Sequence, residues 1–133
     1  MLEVFLISVD TVFSGRIKKL FPENLKISNK TASNGNEIKR AIRGGCDLIF
    51  MDWNHICHLK EIQPNAKVII AADKYDPRKE YICARMGAKG FITKDMGIAS
   101  LRKVVKAVNS GQVWMTRAVS TRIFKEYRKI FKT

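Results

Sequence analysis

The sequence predicts an α/β protein, a doubly wound parallel sheet of five strands followed by one further C-terminal helix. Three observations predict it. Continuous apolar runs recur along the chain, as in Val4-Phe5-Leu6-Ile7, Leu48-Ile49-Phe50-Met51 and Val68-Ile69-Ile70-Ala71, the mark of strands covered on both faces. Segments with apolar residues at helical spacing lie between them. The chain has 133 residues, 46% of them hydrophobic, which suits one domain with a real core and is short for two.

The elements follow in order. The first strand is Val4-Phe5-Leu6-Ile7. Asp10 or Thr11 can cap the next helix, where Phe13, Ile17, Leu20 and Phe21 recur until Pro22 stops it. Leu25-Lys26-Ile27 is a short second strand. Ser33-Asn34-Gly35-Asn36 is turn and cap chemistry, and a helix over 37–43 is ended by Gly44-Gly45. Residues 47–51 form the third strand and 68–71 the fourth. Asp76-Pro77 opens a helix with proline in its first turn, running to about Met86 and stopped by Gly87. Gly90-Phe91-Ile92 is the fifth strand. Ile98, Leu101, Val104, Val105 and Val108 stripe another helix, ended by Gly111. In the tail, Val119, Ile123, Phe124, Tyr127, Ile130 and Phe131 share one helix face. The basic residues Arg122, Lys125, Arg128, Lys129 and Lys132 lie mainly on the others.

Strands alternating with helices imply a parallel sheet with helices on both sides. Right-handed crossovers and five strands suit the flavodoxin-like (βα)5 order 2-1-3-4-5. Ligands bind such sheets beyond the carboxyl ends of the strands, at the switch between strands 1 and 3. Those ends are Ser8-Val9-Asp10 and Asp52, so the topology puts Asp52 where chemistry is expected.

Charge is the unusual bulk property. Twenty-five Lys and Arg against 12 Asp and Glu give a net charge of +13 and a pI near 10.0. Such a field favours polyanions, whether nucleic acid, anionic lipid or an acidic protein. The plain alternative is a solvated basic face that keeps the protein soluble. Cys46, Cys57 and Cys83 are too few and too scattered for a disulfide framework, so reduced thiols are expected. No apolar run approaches membrane-spanning length, and Met1-Leu2-Glu3 leads straight into a strand without signal-peptide features. A cytoplasmic location is the resulting expectation.

Other constellations are weak. His55-Ile56-Cys57-His58 gathers metal-ligand types beside Asp52, but a second ligand pair is missing. Exposed polar residues on a short helix are the better reading. No Ser-His-Asp or Cys-His arrangement and no phosphate-binding glycine loop stands out, so an enzyme is not expected.

Asp47-Leu48-Ile49-Phe50-Met51-Asp52, Ser33-Asn34-Gly35-Asn36-Glu37 and Gly87-Ala88-Lys89-Gly90-Phe91-Ile92-Thr93-Lys94-Asp95 together resemble a response-regulator receiver domain. Gly111-Gln112-Val113-Trp114 resembles the NarL/FixJ branch, whose members usually carry a C-terminal DNA-binding helix-turn-helix. The resemblance covers about residues 2–115 and leaves 116–133 as a basic amphipathic helix or linker. It implies Asp52 as phosphoacceptor from a histidine kinase, Lys94 as partner of the phosphoryl group, and Phe91 as the switch aromatic without its hydroxyl. The chain also departs from the family. Ser8 and Val9 replace the acidic pair that holds magnesium, with Asp10 one place late. Ala72 stands at the switch hydroxyl position, and the stretch after Asp52 is short for a full third helix. The resemblance therefore implies a degenerate receiver, with Mg2+ held weakly by Asp10 and Asp52.

The expected function is signal transduction by protein–protein contact, with a homodimer foreseen and a histidine kinase or another signalling protein as partner. The chain would then be the regulatory half of a transcription regulator, meeting DNA only through an absent output domain or weak basic-patch contacts. The family's contact surface corresponds here to residues 78–85, Phe91 and 101–106. Two alternatives remain. One is a phosphorylation-competent receiver. The other is a nucleic-acid- or lipid-binding module using the basic helix, its affinity falling steeply with salt.

Overall fold

The computed structural model describes residues 3–8, 10–21, 25–28, 47–61 and 66–131. The helix expected over 37–43 with its cap and glycine stop, Val9, Cys46 and Lys132 lie outside the described residues. Strands β1 (Val4–Ile7), β2 (Leu25–Ser28), β3 (Leu48–Asp52), β4 (Lys67–Ala72) and β5 (Gly90–Thr93) form one sheet. All pairs are parallel, and the spatial order is β2-β1-β3-β4-β5.

Strand period decides which side chain goes to which face. Phe5, Ile7, Ile49, Met51, Val68, Ile70 and Phe91 join one core cluster. Their alternates Val4, Leu6, Leu48, Phe50, Ile69 and Ile92 join the other. Helices α1 (Thr11–Leu20) and α3 (Ile98–Asn109) cover the second cluster with Phe13, Ile17, Leu101, Val104 and Val108. Helix α2 (Pro77–Arg85) and the short 3-10 helix η1 (Trp53–Glu61) cover the first. The apolar runs are unbroken because both faces of the central strands are buried.

Local chemistry sets the helix ends. Asp10 caps α1 by accepting from the Val12 and Phe13 N–H groups, and Asp76 caps α2 by accepting from those of Arg78 and Lys79. Gly87 and Gly111 end their helices at φ +95 and +96, a conformation that a side chain would strain. The region after β3 is a single 3-10 stretch. Three residues per turn line Trp53, Ile56 and Leu59 on one face, all packed against the first core cluster.

The tail helix α4 (Arg117–Phe131) folds back on α2. Before it, Trp114 closes the outer edge of β5: its N–H donates to Lys89 O at 2.8 Å, and its carbonyl accepts from Phe91 N–H at 3.0 Å. The anchor is Glu80, a carboxylate only 1% exposed. Glu80 accepts from Thr116 N–H at 2.7 Å, Thr116 Oγ1 at 2.7 Å and Tyr75 Oη at 2.8 Å. One residue on, Tyr81 donates to Glu126, and the Arg122 guanidinium lies 3.7 Å from the Tyr81 ring centre.

These polar anchors leave only part of the tail helix's apolar face packed on its own domain. Val119 is buried and Ile123 half-buried, but Phe124, Tyr127 and Ile130 are 63%, 59% and 68% exposed. The anchors turn the Val119–Ile123–Glu126 row toward α2, which is too short and polar to cover the rest of the stripe.

Candidate functional site

Both β1 and β3 are buried to their carboxyl ends, so Ser8 and Asp52 are buried at the floor of a pocket where Asp10 and Asp73 reach solvent. Ser8 and Asp52 are 1% and 2% exposed. Ser8 Oγ donates to Asp52 Oδ2 at 2.8 Å and accepts from Asp10 N–H at 3.1 Å. Lys94 follows β5 and brings its ammonium into the same pocket. Nζ lies 3.3 Å from Asp52 Oδ2, 3.6 Å from Asp10 Oδ2 and 3.5 Å from Asp73 Oδ1. The loop carrying Lys94 is pinned from two sides. Lys94 N–H donates to Ala72 O at 2.9 Å, and Arg16 Nη1 from α1 donates to Lys94 O at 2.6 Å.

The charges hold one another. Burial favours loss of the Lys94 proton, but the carboxylates of Asp52, Asp73 and Asp10 outweigh it and raise its pKa above the ordinary lysine value. The Phe13 N–H, with the Lys94 charge, holds Asp10 below the usual carboxylate range against the opposing effect of burial. Asp52 Oδ1 is buried and has no hydrogen-bond partner among the described residues.

The structure brings Asp52, Lys94, Ser8 and Asp10 together, and Asp73 joins them from the end of β4. Ala72 is buried in β4 directly beside Thr93 of β5, and its methyl offers no hydrogen bond to the pocket. Phe91 points into the core at 5% exposure, and the Tyr75 ring meets it edge-on with centroids 6.1 Å apart. Part of the contact surface expected over 78–85, Phe91 and 101–106 is covered, while Arg78, Ile82, Arg85, Arg102, Lys103 and Lys106 are exposed. Tyr81 and Arg85 face the tail helix, and Glu80, Phe91, Leu101 and Val104 are buried. Of the basic tail, Arg122 is engaged by Tyr81 and Glu126, while Lys125, Arg128 and Lys129 are exposed.

His55 corrects another expectation. Its place on η1, directly after β3, leaves it 7% exposed rather than open to solvent, with Nδ1 buried and unpartnered among the described residues. Cys57 is an exposed free thiol. Cys83 is free and buried, and burial pushes its thiol pKa up to about 12, so it is chemically inert. Burial lowers the His55 pKa, against the pull of Asp52. The unfolded chain therefore takes up a proton that the folded one refuses, and stability drops as pH falls below 6.5 toward the folded value. Urea unfolding across that window should show the decline, and a His55→Gln variant should flatten it.

The donor set fits Mg2+ poorly. That ion wants near-octahedral oxygen ligands at about 2.1 Å. Asp10 Oδ1 is committed to its cap, Ser8 is no carboxylate, and an ammonium already stands between the three acids. Among the described residues no group of three His, Cys, Asp or Glu side chains is arranged to hold a metal.

Two contributors escaped the sequence reading. Arg16 gives no local sign of its role, because its acceptors, Lys94 O and Met96 O, lie in a loop far along the chain. Glu80 did leave a signal: a carboxylate three residues before Cys83 falls on the buried face of its helix.

No protein-family model matches the sequence, and comparison with curated protein sequences found no match. Solved structures do match. A LuxR-family two-component response regulator from Aurantimonas sp. SI85-9A1 superposes with TM-score 0.71 at 18% identity, over 94% of this chain and 96% of that one. A response regulator from Thermotoga maritima gives 0.71 at 17% identity, over 84% and 99%. A LuxR-family DNA-binding response regulator from Silicibacter pomeroyi gives 0.71 at 19% identity, over 89% and 99%. No helix among the described residues is long and apolar enough to cross a membrane. The strand-end carboxylate, the facing lysine and these superpositions lead to one statement: the chain has the fold of a response-regulator receiver domain.

Proposed function

We propose that this chain is a receiver-type signalling domain, residues 1–115 with the tail 116–133, that acts through protein contacts and not by phosphoryl transfer. One observation carries the reading: the Lys94 ammonium within 3.6 Å of three carboxylates, one of them the would-be phosphoacceptor. A dianionic phosphoryl group at Asp52 needs a cation of its own. Here the lysine is shared out and the acids for magnesium are reduced, so Mg2+ binding is weak. Ala72 supplies no hydroxyl to follow the phosphoryl group inward, and Phe91 is already buried under Tyr75. The likeness to a LuxR-family DNA-binding response regulator supports a role as the regulatory half of a transcription regulator. DNA would then be met through a separate output domain. The reading is of a binding domain rather than an enzyme, with a signalling protein or a second copy as partner.

A second reading has one observation in its favour. Asp52 Oδ1 is free of hydrogen bonds among the described residues while Lys94 stands beside Oδ2, which is what a working phosphoacceptor needs. Intact-mass analysis after incubation with acetyl phosphate, or with beryllofluoride, with and without Mg2+, separates the two. No adduct on a folded protein is the expected result. A magnesium-dependent adduct that disappears in Asp52→Asn would overturn the proposal in favour of a phosphorylation switch.

A further inference from the structure

A groove of about 650 Å3 runs between the tail helix α4 and the end of α2 with the turn after it. Val119 and Ile123 form its floor. Phe124, Tyr127 and Ile130 stand along one wall, and Val113, itself 52% exposed, adds a fourth large apolar side chain. Such a cluster on a small domain marks an interaction surface. Arg85 and Lys89 flank it, and the single acidic residue of the lining, Glu126, is engaged by Tyr81 and Arg85.

We propose that this groove receives an acidic amphipathic helix from a partner protein. Four features choose that occupant. The cationic flank within a chain of net charge +13 complements carboxylates on either side of an apolar stripe. A second copy docking its own groove here would set Arg85 and Lys89 against the same two residues. The groove is concave, so a bilayer surface leaves it unfilled. Its aliphatic floor fits side chains at helical spacing better than stacked bases. This proposal stands apart from the state of Asp52, because no residue of the groove belongs to that pocket.

The test selects from a displayed library of random peptides of about 15 residues, some four helical turns, on the full chain. The selected peptides are then measured by fluorescence anisotropy against the parent, Ile130→Asp and Lys89→Glu. Both positions are exposed, and circular dichroism checks that the variants fold. The expected result is enrichment of acidic peptides with apolar residues at i, i+3, i+4 and i+7. Their affinity should fall at least about tenfold in Ile130→Asp, with a smaller loss in Lys89→Glu. Scrambled peptides of the same charge should bind far more weakly. The proposal is overturned if nothing is enriched, or if the selected peptides bind Ile130→Asp and their scrambled forms equally well. It is equally overturned if phosphatidylserine vesicles, a single-stranded oligonucleotide or a second copy of the chain shows the Ile130 dependence instead.

Discussion

Replacing Lys94 with alanine is expected to cost the fold about 2–4 kcal/mol, just under the range for breaking a wholly buried ion pair. Among the described residues, Asp52, 2% exposed, takes charge compensation from this one ammonium, while Ser8 supplies only a neutral hydrogen bond. Asp10 and Asp73, both open to solvent, would add a weaker, water-screened repulsion. Most of the loss should return in the double variant Lys94→Met with Asp52→Asn, because the penalty is the stranded charge rather than a lost contact. Urea unfolding of the single and double variants measures both. If the single variant lies within about 0.5 kcal/mol of the parent, an ordinary surface value, the carboxylates are not held by Lys94 and the constitutive reading fails.

The same cluster contributes a pH dependence at both ends of the range. The Lys94 pKa is raised, so its contribution is complete below 10.5 and is lost as pH climbs through the folded value. The Asp10 pKa is lowered, so its contribution is complete above 3.8 and is lost as pH falls through the folded value.

Glu80 carries the second large effect. Glu80→Ala is expected to cost about 2–4 kcal/mol, since two Thr116 donors and the Tyr75 hydroxyl lose their acceptor inside the protein. Glu80→Gln should cost about 1–3 kcal/mol, because one end of the amide turns a donor toward Thr116 or Tyr75. The loss should be local. Limited proteolysis should cut between Met115 and the tail helix in both variants, while amides of β1 and β3 keep their protection from hydrogen exchange. Cleavage no faster than in the parent would show that apolar packing of Val119 and Ile123 holds the helix without the latch.

How much of this could be read beforehand follows the range of each interaction. The alternating elements, the α/β class and the parallel sheet came from period and caps, because strand burial and helix capping act within a few residues. Asp10, Asp76, Gly87 and Gly111 were legible for that reason. The site was legible as a set of residue types: the switch-point rule points to Asp52, and the resemblance supplied Lys94. What those groups do to one another was not, because Ser8, Asp10, Asp73 and Lys94 converge on Asp52 only after four strands have been laid side by side.

The tail shows the division most clearly. Sequence alone determined an amphipathic helix with a basic side, since spacing sets which residues share a helical face. Only the tertiary structure decided which part of that face is used. A buried carboxylate on α2 and a tyrosine one residue further on fix the rotation of the helix about its axis. Val119 and Ile123 are turned inward, and Phe124, Tyr127 and Ile130 are left along a groove. Rotation about the axis depends on hydrogen bonds between residues more than 30 positions apart, and no local pattern in the sequence encodes it.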